Sequence, residues 1–264
     1  MYENLQANVC MVEYRGYGNS DDAKPTEAGL KLDSEAALNF ILNHPKIDSK
    51  GVFIFGRSLG GAVAFHLAEY AQKKGLPIAG VMVENTFVSI SEMVDHLMPF
   101  VAPVKSLVLR IGWKSGDVVK NLKTPVLYLA GDDDQLVPHA QMQKLFELSG
   151  KTSIYAKMHV VSGGTHNETW LQGGREYWQA ISNFMQKVLA TQKQRGRYVS
   201  SESIECLDGD DSKRYGKSDV AIGMGTDTDQ SVVGAIPIMP TNFMGIAKEA
   251  TTSSVSHTKS KKKD

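Results

Sequence analysis

The sequence predicts an α/β protein: a mainly parallel sheet with helices on both faces. Three observations predict it. Short β-branched and aromatic runs alternate with stretches of helical spacing from Ala7 to Leu189. Those runs are continuously apolar, as in strands covered on both faces. At Gly56-Arg57-Ser58-Leu59-Gly60 one run gives way to a helix, with a glycine two places before the serine and another two places after it.

In order, Asn8-Val9-Cys10-Met11-Val12-Glu13-Tyr14 reads as a buried strand feeding the loop Arg15-Gly16-Tyr17-Gly18-Asn19-Ser20. The helix after Pro25-Thr26 carries Leu32, Ala36 and Phe40, and beside them Ala37 and Ile41, spaced by four on a shared apolar face. Asn43-His44-Pro45 ends it. Gly51 to Phe55 is a strand, and Gly61 to Tyr70 lies in a helix closed by Lys73-Lys74-Gly75-Leu76-Pro77. Ile78 to Val83 is a strand that ends at Glu84-Asn85.

Residues 86–118 carry Met93, Leu97, Phe100, Leu107 and Trp113, broken by Pro99 and Pro103. They read as a cap-like insertion over the sheet edge that could wall an apolar pocket, or as two short core-facing helices. Thr124 to Ala130 is a strand, followed by Gly131-Asp132-Asp133-Asp134. Pro138 opens a helix with Met142, Leu145 and Phe146 on one face and His139 toward solvent. Ala156 to Val161 is a strand with His159 half-buried. The loop Ser162-Gly163-Gly164-Thr165-His166-Asn167 and a last helix through Leu189 complete a domain at 1–190. Residues 191–264 are rich in Ser, Thr, Asp, Gly and Lys and read as a disordered tail. Within it Ile236-Pro237-Ile238-Met239-Pro240 is an apolar island suited to docking on a partner or a membrane surface.

A chain of 264 residues can bury one sizeable core. Its net charge of zero argues against a nucleic-acid partner. Cys10 and Cys206 are the only cysteines, too few for a disulfide framework or a thiolate metal site. Consecutive Asp132, Asp133 and Asp134 cannot all face one ion in a simple turn, and Gly56 to Gly61 lacks the lysine of a phosphate loop. No metal and no cofactor is expected. No apolar run reaches the roughly 18 residues of a membrane span, and Met1 to Ala7 lacks the marks of a signal peptide.

A serine on a tight strand-to-helix turn has its hydroxyl lifted above the sheet. The turn also sets it at a helix N-terminus, where the Leu59 amide can face a developing oxyanion. Such a serine needs a base, and the base needs an orienting acceptor. Loops after the strands of a doubly wound sheet share one rim, so Ser58, an aspartate of the 132–134 run and His166 can meet there. Asp134 is favoured over Asp132 and Asp133, because it lies far enough past Gly131 for the turn to swing its carboxylate toward the histidine. The chain order Ser, Asp, His fits this architecture.

Val12-Glu13-Tyr14-Arg15-Gly16-Tyr17-Gly18-Asn19-Ser20, Phe55 to Ala64, Met82-Val83-Glu84-Asn85-Thr86-Phe87 and Gly163-Gly164-Thr165-His166-Asn167-Glu168-Thr169-Trp170 together resemble the α/β-hydrolase superfamily. More narrowly, they resemble its domain-containing protein 13 subfamily. The resemblance covers residues 8 to 190. It implies an α/β-hydrolase fold and a serine hydrolase of esters or thioesters, with Ser58 as nucleophile, Asp134 as orienting acid and His166 as general base. A small acyl ester or an acylated protein is the implied substrate, and acyl-protein (palmitoyl) thioesterase the implied activity. It also implies membrane association through an N-terminal anchor that this chain lacks.

Two departures qualify the match. Glu13 replaces an aspartate. The His-Gly-rich loop lending a second oxyanion amide has no counterpart before the first strand, and the strand carrying it would lie between that strand and the elbow strand. The sequence therefore reads as N-terminally truncated, with first strands missing and two sheet edges unpaired. The alternative function is a catalytically impaired fragment that binds partners.

Overall fold

The computed structural model describes residues 1–97, 112–205 and 232–237. Six parallel strands form one sheet: β1 (Ala7–Val12), β2 (Val52–Arg57), β3 (Gly80–Glu84), β4 (Val126–Gly131), β5 (Ala156–Val161) and β6 (Val232–Pro237). Their spatial order is β1-β6-β2-β3-β4-β5. The helices are α1 (Tyr2–Leu5), α2 (Glu27–Leu42), α3 (Leu59–Lys74), α4 (Ile90–Leu97), α5 (Ser115–Val119), α6 (His139–Ser149), α7 (Thr169–Gln172) and α8 (Gly174–Glu205).

The continuous apolar runs are explained by the two covered faces. Val52 and Ile54 of β2, Val81 and Val83 of β3, and Val126 and Tyr128 of β4 pack on one side with Leu38, Phe65, Ala68, Met142 and Leu145. The alternate residues Phe53, Phe55, Met82, Leu127 and Leu129 pack on the other with Tyr177, Ile181, Phe184 and Val188 of α8. Each large apolar side chain buried this way contributes about 1.5–3 kcal/mol. The strands beneath the site are therefore buried on both faces.

Local chemistry sets the helix ends. Thr26 caps α2 by accepting from the Gly29 N–H at 3.1 Å. Gly75, at φ 65°, closes α3 in the left-handed conformation that glycine adopts at little cost.

Several expectations are corrected. The buried face of α2 is Leu30, Ser34, Leu38 and Ile41, whereas Leu32 and Phe40 are exposed. Both spacings are helical, but only the first faces the sheet. β1 is half-exposed rather than buried, because among the described residues it is an edge strand with one neighbour. His139 does not face solvent: it is half-buried, with Nδ1 enclosed, since it lies one turn from buried Met142 on the same side of α6.

Within 191–264 the structure describes residues 191–205 and 232–237. α8 continues past residue 190 to Glu205, and β6 is a strand of the sheet. β6 lies in the slot between β1 and the elbow strand, so the two edges expected to be bare are paired. Ala235 is level with Cys10 on one side and Ile54 on the other. Of the proposed cap at 86–118, residues 98–111 lie outside the described residues. Phe87, Ile90, Met93 and Trp113 pack with Tyr14, Leu30 and Val63 as core. Among the described residues no helix is long and apolar enough to cross a membrane.

Candidate active site

β2 ends in a turn that is sterically tight. Ser58 sits at φ 54°, ψ −123°, a conformation that costs a non-glycine residue on the order of 1–3 kcal/mol. The turn is held from outside. The Ser58 N–H donates to the Glu84 carbonyl at 2.9 Å, and the Ser58 carbonyl accepts from Thr86 Oγ1 at 2.7 Å and from the Gly61 N–H at 2.9 Å. A Cβ at Gly56 would overlap the Gly60 carbonyl, and one at Gly61 would meet Thr86. Glycine is therefore required where strand, turn and helix cross. Leu59 opens α3, and its N–H has no acceptor among the described residues.

The loop after β4 carries Asp132, Asp133 and Asp134. Asp134 is buried, and its Oδ1 accepts the Leu136 and Val137 N–H groups at 2.9 and 2.8 Å. That leaves Oδ2 for His166, whose Nδ1 lies 2.7 Å away. With Nδ1 so engaged, Nε2 is the imidazole nitrogen left for other chemistry. The other two aspartates do not compete. Asp132 is exposed and accepts from the Gly163 N–H at 2.6 Å, while Asp133 faces solvent.

The structure thus brings Asp134 and His166 into contact. Ser58 ends at the same rim, but its hydroxyl makes no hydrogen bond among the described residues. Arg57 bridges the two segments, donating from Nη1 to the Asn167 carbonyl at 3.3 Å. Among the described residues no group of three or more His, Cys, Asp or Glu could hold a metal ion.

Sequence reasoning assigned no role to the end of β3, yet it is hydrogen-bonded to the serine turn, the histidine loop and the end of β4. Glu84 is buried, its Oε2 accepts from the Tyr177 hydroxyl, and its Oε1 has no partner among the described residues. Burial raises the Glu84 carboxyl above the usual carboxylate range, against the lowering effect of Tyr177 and Arg57. Burial, and then Glu84 itself, raise the Tyr177 phenol. Asn85, at φ 45°, connects the β4 end to the histidine loop through its carboxamide. The available signal was a polar pair at the carboxyl end of an apolar strand.

The strained serine turn and the Asp134–His166 contact both lie at the carboxyl rim of a parallel sheet, as in the α/β-hydrolases, the class to which this chain belongs. Residues 31–192 match the model of the prolyl oligopeptidase family, to which the chain belongs. It is 39% identical over 185 residues to Protein bem46 of Schizosaccharomyces pombe, covering 70% of this chain and 59% of that protein. It is 35% identical over 198 residues to the alpha/beta hydrolase domain-containing protein WAV2 of Arabidopsis thaliana, covering 71% and 63%. The chain therefore spans about three-fifths of the length of these curated relatives. Among solved structures, an alpha-beta hydrolase from Vibrio vulnificus superposes with a TM-score of 0.53 at 23% identity, over 64% of this chain and 61% of that one.

Proposed function

We propose that the protein is a serine hydrolase that cleaves a carboxylic ester or thioester through an acyl-enzyme on Ser58. The observation that carries this reading is the 2.7 Å contact between Asp134 Oδ2 and His166 Nδ1, with Asp134 Oδ1 fixed by two backbone amides. The carboxylate holds the imidazole in one tautomer and leaves Nε2 to act as base.

In this reading Ser58 Oγ attacks the acyl carbonyl carbon while its proton passes to His166 Nε2. The carbonyl oxygen becomes an oxyanion facing the Leu59 N–H. The tetrahedral intermediate collapses, the bond to the leaving group breaks, and His166 returns the proton to the departing alkoxide or thiolate. Water then attacks the acyl-enzyme with His166 again as base, releasing the acid and restoring Ser58. The unbonded Ser58 hydroxyl is compatible with this scheme, since catalytic hydrogen bonds often tighten only when substrate binds.

The finer reading is an acyl-protein thioesterase acting on long acyl chains, with the whole protein attached to a membrane. It is supported by the motif resemblance. A second reading, hydrolysis of short peptides by the same groups, is favoured by the match to the prolyl oligopeptidase family.

A fluorophosphonate probe tests the first reading. Folded wild-type protein is expected to be labelled and a Ser58→Ala variant is not. Equal labelling of both, or none of either, overturns it. Turnover of an S-palmitoylated peptide against a peptide p-nitroanilide then decides between thioester and peptide bond.

A further inference from the structure

The geometry points to Asn85 as the positioning residue of this site, the side chain that fixes the histidine loop against the strand delivering the acid. Two segments from distant parts of the chain meet on it. Its Nδ2 donates to the His166 carbonyl at 3.1 Å, to the Thr165 carbonyl at 3.3 Å and to Thr169 Oγ1 at 2.9 Å. Its Oδ1 accepts from the Gly131 N–H at 2.9 Å, where β4 turns toward Asp134. Its own N–H donates to the Leu129 carbonyl at 3.1 Å.

One flat carboxamide therefore spans the gap between the acid loop and the base loop. Neither Asp nor Gln could fill the place with the same result. Asp would set an oxygen against the two carbonyls that now receive Nδ2. Gln is a methylene longer. The φ of 45° also suits Asn, which tolerates the left-handed region better than most residues. Thr169 extends the clamp, since its hydroxyl accepts from Asn85 and donates to the Thr165 carbonyl at 2.6 Å.

The neighbouring residues serve the nucleophile in the same way. The Glu84 carbonyl receives the Ser58 N–H, and Thr86 Oγ1 donates to the Ser58 carbonyl. The stretch 84–86 is thus a hub to which all three site segments are tied. Asn85 ties the two whose separation sets the Asp134–His166 contact.

This inference rests on the hydrolase reading for its kinetic arm, and a spectroscopic arm reads it independently. In proton NMR, the His166 Nδ1–H in its bond to Asp134 gives a low-field resonance, assigned by its loss in Asp134→Asn. Asn85→Gly keeps the left-handed backbone and removes both ends of the clamp. It is expected to abolish or broaden that resonance. It is also expected to lower kcat toward p-nitrophenyl acetate by about 10²-fold with KM little changed, the scale of loss from an ångström of misplacement. A core variant of matched thermal stability, Ile181→Val, should keep both. Thr169→Val should reproduce the loss in part and Thr169→Ser should restore it, and this pair reads the clamp if Asn85→Gly does not fold.

Wild-type resonance and kcat in folded Asn85→Gly, or in Thr169→Val, overturn the inference. If wild-type protein shows the resonance but resists fluorophosphonate, the hydrolase reading fails. Asn85 is then judged on the resonance alone.

Discussion

His166 Nδ1 and Asp134 Oδ2 lie 2.7 Å apart although 32 residues separate them, and the carboxylate's other oxygen is held by the amides of Leu136 and Val137. The carboxylate cannot rotate away without unpairing the half-buried Leu136 N–H and the buried Val137 N–H, and a buried unpaired N–H costs about 1–3 kcal/mol. Asp134→Asn should therefore keep the fold but present the wrong group to the imidazole, lowering kcat toward p-nitrophenyl acetate on the order of 10⁴-fold. Asp133→Asn, on the solvent-facing neighbour, should leave kcat unchanged. Steady-state kinetics of the two variants check the assignment, and equal losses would argue for a diffuse acidic loop instead.

The elbow makes a steric prediction. A methyl at Gly56 has no room, because the Gly60 carbonyl occupies that space. Backbone cannot swing aside as a flexible side chain can. Gly56→Ala should cost about 1–3 kcal/mol, as for overpacked sites, and should lose activity together with stability. Gly75→Ala meets no atom in its path. It should pay only for the left-handed φ of 65° and leave activity intact. Thermal melts with matched activity assays separate the two.

These sites also show where sequence was sufficient. The elbow is legible because five consecutive residues write it: the glycines and serine need no distant partner to be recognised. That the loops carrying Asp134 and His166 meet follows from their places after strands, since a parallel sheet gathers such loops at one rim. Asn85 was not legible. Its role depends on bonds to residues 46, 81 and 84 positions away, and a lone Asn after a strand carries no periodic signal. β6 escaped for a similar reason. Val232–Pro237 is a short apolar stretch in polar surroundings, and only the open ladders of β1 and β2 give it a place. On α2, Leu32 and Phe40 obeyed helical spacing as well as the buried set did. Spacing alone does not say which of two faces meets the sheet.

The buried Glu84–Tyr177 pair predicts a pH effect with a definite sign. An unfolded glutamate loses its proton near pH 4.3. Burial holds the folded carboxyl above that value. Below about 4.3 both states are protonated and the group is neutral to stability. As pH rises past it, the unfolded chain releases a proton that the folded chain retains, so stability falls until the folded group also ionises. Glu84→Gln mimics the protonated form and lacks this slope. The difference in Tm between variant and wild type should therefore move in favour of the variant from pH 4.5 to pH 8. A difference that does not change with pH would show that Glu84 titrates alike in both states.

The placement of β6 can be tested through its backbone. Ala235 faces Cys10 of β1 and Ile54 of β2, so its strand is bonded on both sides. Proline is excluded from such positions because it removes a ladder N–H and its ring crowds the neighbouring strand. Ala235→Pro should therefore lower Tm, leave the facing edges of β1 and β2 open and promote association between molecules. In hydrogen exchange, the amides of Val9 to Met11 and Val52 to Ile54 should lose protection while those of β4 and β5 keep theirs. The contrast within one molecule matters, because a general loss of stability would expose both regions together. Unchanged protection at β1 and β2 would mean that the sheet holds these two strands without help from residues 232–237.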